Sequence, residues 1–312
     1  MKPTRRVIVA TAVLVILMFP SALILPKTFA ISQAAINSQV LPSAENFLVN
    51  QYNATIGLDA EYPGATTYWL YSDNFLAAYV LQNVNPSNIT ELKVAGNISH
   101  TLDNYMAGMP DPLNQYMILT AGVFAFYASS NYDVTNIDGA TIGITLNNGT
   151  TALSPNNYAD IAFLEALYYN GLGQRGAAVS LFDIGASMYD GIGLKDVAFN
   201  GTYQTYKLAL YIYAAKVLGE NYASSAEVNL LDMKASNGGF YSGYNSNYSA
   251  AGTFTNVETT SLAVLALSVP NAPTSQVPFY ESVDGVLEAS LLLITVVGVL
   301  FFGSCLMRRL KR

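Results

Sequence analysis

A mainly α-helical fold, an α/α toroid of about five helical hairpins with one β-hairpin insertion, is what three observations in this 312-residue chain predict. Apolar stretches flanked by basic residues stand at both ends, so the part that folds in water lies between them. Within that part, apolar helical segments recur at a spacing near 45 residues. One interval, 129–155, breaks the helical period and alternates instead.

The ends set the topology. Lys2, Arg5 and Arg6 precede an apolar run from Val7 to Leu25, and Thr28-Phe29-Ala30 offers small residues at signal-peptidase positions. Residues 1–30 therefore read as a signal peptide or a signal anchor, and Pro20 inside the run weakens a permanent spanning helix and favours cleavage. Ala289 to Met307 is a run of nineteen apolar and small residues, followed at once by Arg308-Arg309-Leu310-Lys311-Arg312. Such a run is long enough to cross a bilayer as a helix, and the basic tail marks its cytoplasmic side. The expected division is 31–275 for the extracellular domain, 276–288 for a stalk containing Pro278, 289–307 for the transmembrane helix and 308–312 for the cytoplasmic tail. Membrane lipid is thus one expected partner, and the cell membrane the expected location.

Six Asn-x-Ser/Thr sequons, at Asn53, Asn88, Asn97, Asn148, Asn200 and Asn247, fall between the ends and fit an exported glycoprotein, although a segment rich in Asn, Ser and Thr also produces such triplets by chance. The one cysteine, Cys305, lies in the C-terminal apolar run. The outer domain can hold neither a disulfide nor a thiolate metal site, and packing must stabilise it.

The helical elements follow in order. Inner-type segments, apolar nearly all round after their first turn, begin at Tyr71, Asn114, Tyr158, Tyr203 and Asn256, which gives spacings of 43, 44, 45 and 53. A helix packed on every side reads that way. Between them, Ser32 to Tyr52, Asn88 to Met106, Gln174 to Met188 and Tyr222 to Ala235 have one polar face and read as outer helices. Alternation of the two kinds around a ring gathers the N-termini of the inner helices at one face. In the interval 129–155, Ala140 to Leu146 and Thr150 to Leu153 flank Asn147-Asn148-Gly149 and predict a β-hairpin with its turn there.

Charge narrows the partners. Between Glu45 and Asp284 there are twenty acidic and six basic residues, a balance of −14. Such a surface repels phosphate backbones, which argues against nucleic acid. Charged residues are nonetheless sparse, and many tyrosines with Asn, Ser and Thr suit acid or saline surroundings or carbohydrate contact.

Asn237-Gly238-Gly239-Phe240-Tyr241, then Asn256-Val257-Glu258-Thr259-Thr260 and its apolar helix, resemble the α/α-toroid superfamily, and Tyr68-Trp69-Leu70-Tyr71-Ser72-Asp73-Asn74 adds to the likeness. That group includes six-hairpin glycosidases, terpenoid cyclases and prenyltransferase-like repeat proteins. The resemblance spans roughly Ser32 to Val269. The aspartate motifs of the cyclases are missing, the prenyltransferase zinc set of Asp, Cys and His cannot form, and the Cys-Gly-Glu-Gln sequence of the thioester toroids does not occur. What the resemblance then implies is a domain that binds or processes glycans, either as a carboxylate-dependent glycoside hydrolase or lyase, or as a non-enzymatic module for adhesion or envelope organisation.

His100 is the only histidine and lies in an outer helix, so acid–base chemistry would fall to carboxyl groups. Asp73, Asp160 and Glu258 hold the third place of three repeat units, which puts them in the first turns of inner helices at a common mouth. Asp190, in Met188-Tyr189-Asp190-Gly191-Ile192-Gly193, leads towards the fourth inner helix. These four are the candidate catalytic carboxyls, since glycoside hydrolysis needs two of them with one kept protonated. An acidic residue in a first turn also simply complements the helix dipole, so capping stands beside catalysis. Trp69, Tyr71, Tyr158, Tyr203 and Tyr241 are the candidate sugar-stacking rings, with core packing as the plain alternative. No motif requires a cofactor; Asp190 with nearby Asp196 lacks the order of an EF-hand calcium loop.

Overall fold

A computed structural model describes residues 32–66, 68–106, 114–120, 130–137, 140–147, 153–252 and 254–270, and over them the chain is mainly helical. The N-terminal apolar segment, Asn148, the stalk, the C-terminal apolar run and the basic tail lie outside the described residues. Among the described residues no helix is long and apolar enough to cross a membrane.

After a short helical lead-in, Gln33–Ala35 and Ile36–Val40, the helices are α1 (Leu41–Gln51), α2 (Tyr71–Asn83), α3 (Ile89–Met106), α4 (Ala159–Gly171), α5 (Arg175–Ala186), α6 (Thr205–Leu218), α7 (Ser224–Asp232) and α8 (Val257–Ser268). The inner-type segments at Tyr71, Tyr158, Tyr203 and Asn256 become α2, α4, α6 and α8, while the four polar-faced stretches become the lead-in with α1, then α3, α5 and α7. Burial follows the pattern that predicted it: α8 buries every residue from Thr259 to Leu267, whereas α5 buries only Ala178, Phe182 and Gly185. Each fully buried Leu contributes roughly 1.5–3 kcal/mol, so the all-apolar helices carry most of the core.

Contacts order the layers. Helix α2 packs on α8, α8 on α6, and α6 on α4; the polar-faced partners α3 and α5 lie against α2 and α4, and α7 against α6. Close approach is built in where it is needed. A Cβ at Gly185 of α5 would stand 2.6 Å from the ring of Phe163 on α4, so glycine lets these two helices meet.

Over its described residues, 114–120, the segment at Asn114 departs from expectation. Gln115–Leu119 forms a 3₁₀ turn, touching both α2 and α4, with Tyr116 and Ile118 buried. Alternate burial, with polar Asn114, Gln115 and Thr120 around it, gives no stripe at helical spacing over this stretch.

Short strands decorate the same end of the helices. β1 (Tyr52–Asn53) pairs with β2 (Leu58–Asp59); β3 (Tyr68–Leu70) lies parallel to β5 (Ala140–Asn147), which pairs antiparallel with β4 (Ser130–Ile137). β6 (Tyr203–Gln204) pairs with β8 (Gly243–Tyr244), and β7 (Phe240–Tyr241) with β9 (Thr255–Asn256). β5 is the second strand of a hairpin with β4, in a ladder of eight residue pairs that ends with Ile137 opposite Ala140. The turn and second strand expected after it, 147–153, lie outside the described residues except for Asn147 and Leu153.

Candidate functional site

Helix starts bring the acidic groups together. Asp73, Asp160 and Glu258 each lie in the first turn of an inner helix, α2, α4 and α8. Local chemistry fixes those starts: the Asn256 side chain accepts from Thr259 N–H at 2.9 Å to cap α8, and Asp196 Oδ2 accepts from Ala159 N–H at 3.0 Å at the start of α4. Glu61 joins them from the loop after β2. Its segment is held from two sides, because Asn74 of α2 accepts from Asp59 N–H at 2.6 Å and donates to Asp59 C=O at 3.1 Å, while Val257 N–H of α8 donates to Glu61 C=O at 3.0 Å.

The acids interact directly. Asp73 is 3% exposed, and burial, with the charges of Glu258 and Glu61 facing it, pushes its carboxyl well above the usual range. Burial raises Glu61 as well, against the lowering effect of the neighbouring Asp73 carboxyl. Among the described residues Asp73 Oδ2 and Glu61 Oε2 are buried without a hydrogen-bond partner, and a buried carboxyl faced by like charges, as Asp73 is, favours keeping a proton. Ser72 Oγ donates to the remaining Asp73 oxygen at 3.0 Å.

Glu258 is tuned differently. Burial raises it to about 7, against the lowering effect of the Tyr116 hydroxyl, which donates to its Oε1 at 2.5 Å; Glu61 and Asp160 raise it further. On the far side Tyr206 Oη donates to Asp160 Oδ2 at 2.9 Å, and Lys207 Nζ stands 3.7 Å from Asp160 Oδ1 and 2.5 Å from Asp196 Oδ2. Burial, the Asp160 and Glu258 charges and the bond to Asp160 all hold the Tyr206 phenol protonated far above its ordinary range. The cluster at these helix starts therefore holds one buried acid pair, one acid poised near neutrality, one carboxylate beside an ammonium, and two phenols kept as donors. That set can deliver a proton and accept one within a single site.

Asp190 does not join this group. Its Oδ1 accepts from Ile192 and Gly193 N–H, and its Oδ2 from Tyr203 Oη at 2.7 Å. Burial raises its pKa, but the Tyr203 hydroxyl and those N–H groups prevail and set it below its ordinary value. Its role is to shape the glycine turn. Asp196 likewise spends its oxygens on Ala159, Ala198 and Lys207.

The expected stacking rings divide. Trp69 is 1% exposed because β3 takes it into the sheet opposite Ile142, and Tyr203 is buried between Phe199 and Tyr244; neither can meet a sugar in this structure. Tyr71 is buried too, while Tyr158 and Tyr241 are half-buried. His100 sits exposed on α3 beside Asn104. Of the sequons, Asn97, Asn200 and Asn247 are exposed and Asn53 and Asn88 half-buried.

Two of the residues that the sequence reading did not single out are instructive. Tyr116 holds the third place of the Asn114 unit, the place that Asp73, Asp160 and Glu258 hold in theirs, so the repeat itself could have pointed to it. Glu61 carries no such signal, since contacts with Asn74 and Val257, distant in sequence, bring its loop to the cluster. Comparison with family models, with curated proteins and with solved structures finds no match for this chain.

Proposed function

We propose that this chain is a membrane-anchored, outward-facing α/α toroid that processes glycans by carboxyl acid–base chemistry at the mouth built from Glu61, Asp73, Tyr116, Asp160, Tyr206 and Glu258. The observation that carries the reading is Glu258, raised to about 7 and held by Tyr116 beside a second carboxyl, Asp160, on a separate helix. In this reading Glu258 protonates the departing glycosidic oxygen. Asp160, oriented by Tyr206 and Lys207, takes the proton of a water that attacks the anomeric carbon as its bond to the departing oxygen breaks. The succession of contacts α2–α8–α6–α4, with the Gln115–Leu119 turn bridging α4 and α2, supports the ring architecture.

The full chain, purified in detergent and incubated with cellohexaose, chitohexaose, maltohexaose and mannohexaose, tests this. Shorter oligosaccharides from the parent but not from Asp73→Asn or Glu258→Gln are expected; an inert parent refutes the hydrolytic reading. A non-enzymatic surface module is the second reading, and the burial of Trp69 and Tyr203 favours it by withdrawing two expected stacking surfaces.

A further inference from the structure

The inner helices start together at the carboxyl cluster, so they also finish together at the opposite end of the domain, and that end has a different chemistry. Contacts stitch it into one surface. Lys216 Nζ, in the last turn of α6, donates to Ala266 C=O in the last turn of α8 at 2.9 Å, and Gln33 Nε2 of the lead-in donates to Leu267 C=O at 3.0 Å. Arg175, at the start of α5, pairs with Glu220, just past α6, at 2.7 Å. Four large aliphatic side chains stand exposed there: Ile89 (80%) and Leu92 (36%) in the first turn of α3, Leu172 (49%) just past α4, and Val217 (37%) in the last turn of α6. Charge separates the two ends as well. Of the described carboxyls at this one, Glu45 and Glu91 are buried, Glu220 is paired with Arg175 and Glu227 with Lys216. At the mouth end Asp103, Asp183 and Asp232, each in the last turn of an outer helix, stand exposed.

We propose that this end is a lipid-facing surface: Ile89, Leu92, Leu172 and Val217 settle into the headgroup region of the bilayer that anchors the chain, and the carboxyl cluster is thereby turned away from it. The inference rests on the membrane-anchored part of the proposed function and is independent of the glycan reading. Where the chain enters and leaves the helices selects the occupant. Gln33 and Leu267 are joined by a hydrogen bond, so both segments that lead to the flanking apolar runs, 7–25 and 289–307, depart from this end. A tether attached there raises the local concentration of this face against lipid, so a few aliphatic contacts suffice to hold it. The four side chains come from three different hairpins, which suits shallow contact with a plane of lipid better than capture of one protein segment in a groove. Electrostatics agrees. Between Glu45 and Asp284 the sequence has a balance of −14, and anionic headgroups repel such a domain except where its carboxylates are buried or paired. Lys93 and Arg175 are exposed at this end, ready to meet lipid phosphate. With inner helices of twelve to fourteen residues, this orientation holds the mouth about 20 Å above the headgroups.

The test uses the full chain in phosphatidylcholine vesicles, in a Cys305→Ser background so that one introduced thiol carries a nitrobenzoxadiazole dye. Leu172→Cys and Val217→Cys place the dye at the proposed face. Val197→Cys places it at the mouth end, where Val197 is 62% exposed and its N–H donates to Asn157 C=O just before α4. Phosphatidylcholine with a doxyl group near the ester carbonyl is the quencher, and flotation records whether each variant stays with the vesicles. Quenching at the first two positions should be at least threefold stronger than at the third. Adding Ile89→Ser/Leu92→Ser should at least halve the quenching of the Leu172→Cys dye with an unchanged thermal melt; should that pair unfold the domain, Leu172→Ser read from the Val217→Cys dye stands in. Serine variants that keep full quenching overturn the proposal, since the tether alone then holds the domain at the lipid. A chain that floats with the vesicles while all three dyes are quenched alike, or none is, overturns the lipid-facing surface and leaves the anchor intact. A chain that does not float overturns the anchor and this surface with it. Dyes at Leu172→Cys and Val217→Cys that escape lipid quenching but respond to protein concentration show a second copy on this face and overturn the proposal.

Discussion

Replacing Glu91 by glutamine should make the fold less sensitive to alkaline pH, and the size of the effect follows from the surroundings of this one carboxyl. Glu91 lies in the first turn of α3, buried, accepting from the Asn88 side chain at Oε1, with no partner at Oε2 among the described residues. Burial first, and then the charge of Glu45 from α1, raise it from 4.5 to about 7. A group whose folded pKa exceeds its unfolded value stabilises fully below the unfolded value and loses that contribution as pH rises through the folded one. Between pH 4.5 and 7 the shift of about 2.5 units corresponds to about 3 kcal/mol, present in acid and gone by about pH 8. Glutamine keeps the acceptor for Asn88 and cannot ionise. Urea unfolding of the full chain from pH 4 to 8 should show the parent losing stability as pH rises, and the variant matching it in acid but exceeding it by about 3 kcal/mol at pH 8. A gap between the two that does not change with pH would refute the reasoning.

Three further outcomes are expected. On the proposed function, Asp73→Asn and Glu258→Gln should each abolish glycan turnover with unfolding free energies within about 1–2 kcal/mol of the parent, and parental kcat/KM should fall as pH climbs through about 7, where Glu258 as the proposed acid loses its proton. Lys207→Met should cost about 3–5 kcal/mol in urea unfolding, because it strands the buried Asp196 and leaves Asp160 without its cation. Gly238→Ala should lower stability by more than about 2 kcal/mol, since φ is +95° and the new Cβ would meet Ser43 C=O at 2.1 Å; Gly64→Ala, at φ +86° with open space around it, should cost only about 1 kcal/mol in a thermal melt.

The helices were legible because the signal is long and physical. Segments such as Leu262 to Leu267, apolar on every face, have no stable place except against other helices on all sides, and their recurrence revealed the order of elements. Shorter signals failed for identifiable reasons. The strand Ser130–Ile137 went unread because Asn131, Asp133 and Asn136 dilute its β-formers, and its eight-pair ladder with β5, a property of the pairing and not of the segment, is what fixes it. At the site, first-turn position placed Asp73, Asp160 and Glu258 on the same rim, since every inner helix starts at that end. Asp190 shared the composition of a site residue but not the position: its loop satisfies both oxygens locally. Trp69 looked like a stacking ring because it precedes an inner helix, and the parallel pairing of β3 with β5, between segments over seventy residues apart, is what covers it. The place of Glu61 arises from contacts with Asn74 and Val257, distant in sequence, which no local pattern records.

The central claim is that carboxyls at the inner-helix N-termini are held protonated for acid–base work, and carbon-13 NMR titration of labelled Asp and Glu carboxyls in the full chain measures it directly, with Asp73→Asn and Glu258→Gln giving the assignments. The account predicts that Glu258 titrates at about 7 and that Asp73 keeps its proton well above the ordinary carboxyl range, with the Glu61 signal shifting when Asp73 is replaced. Titration of both Asp73 and Glu258 near 4, each unaffected by the other's replacement, would contradict it.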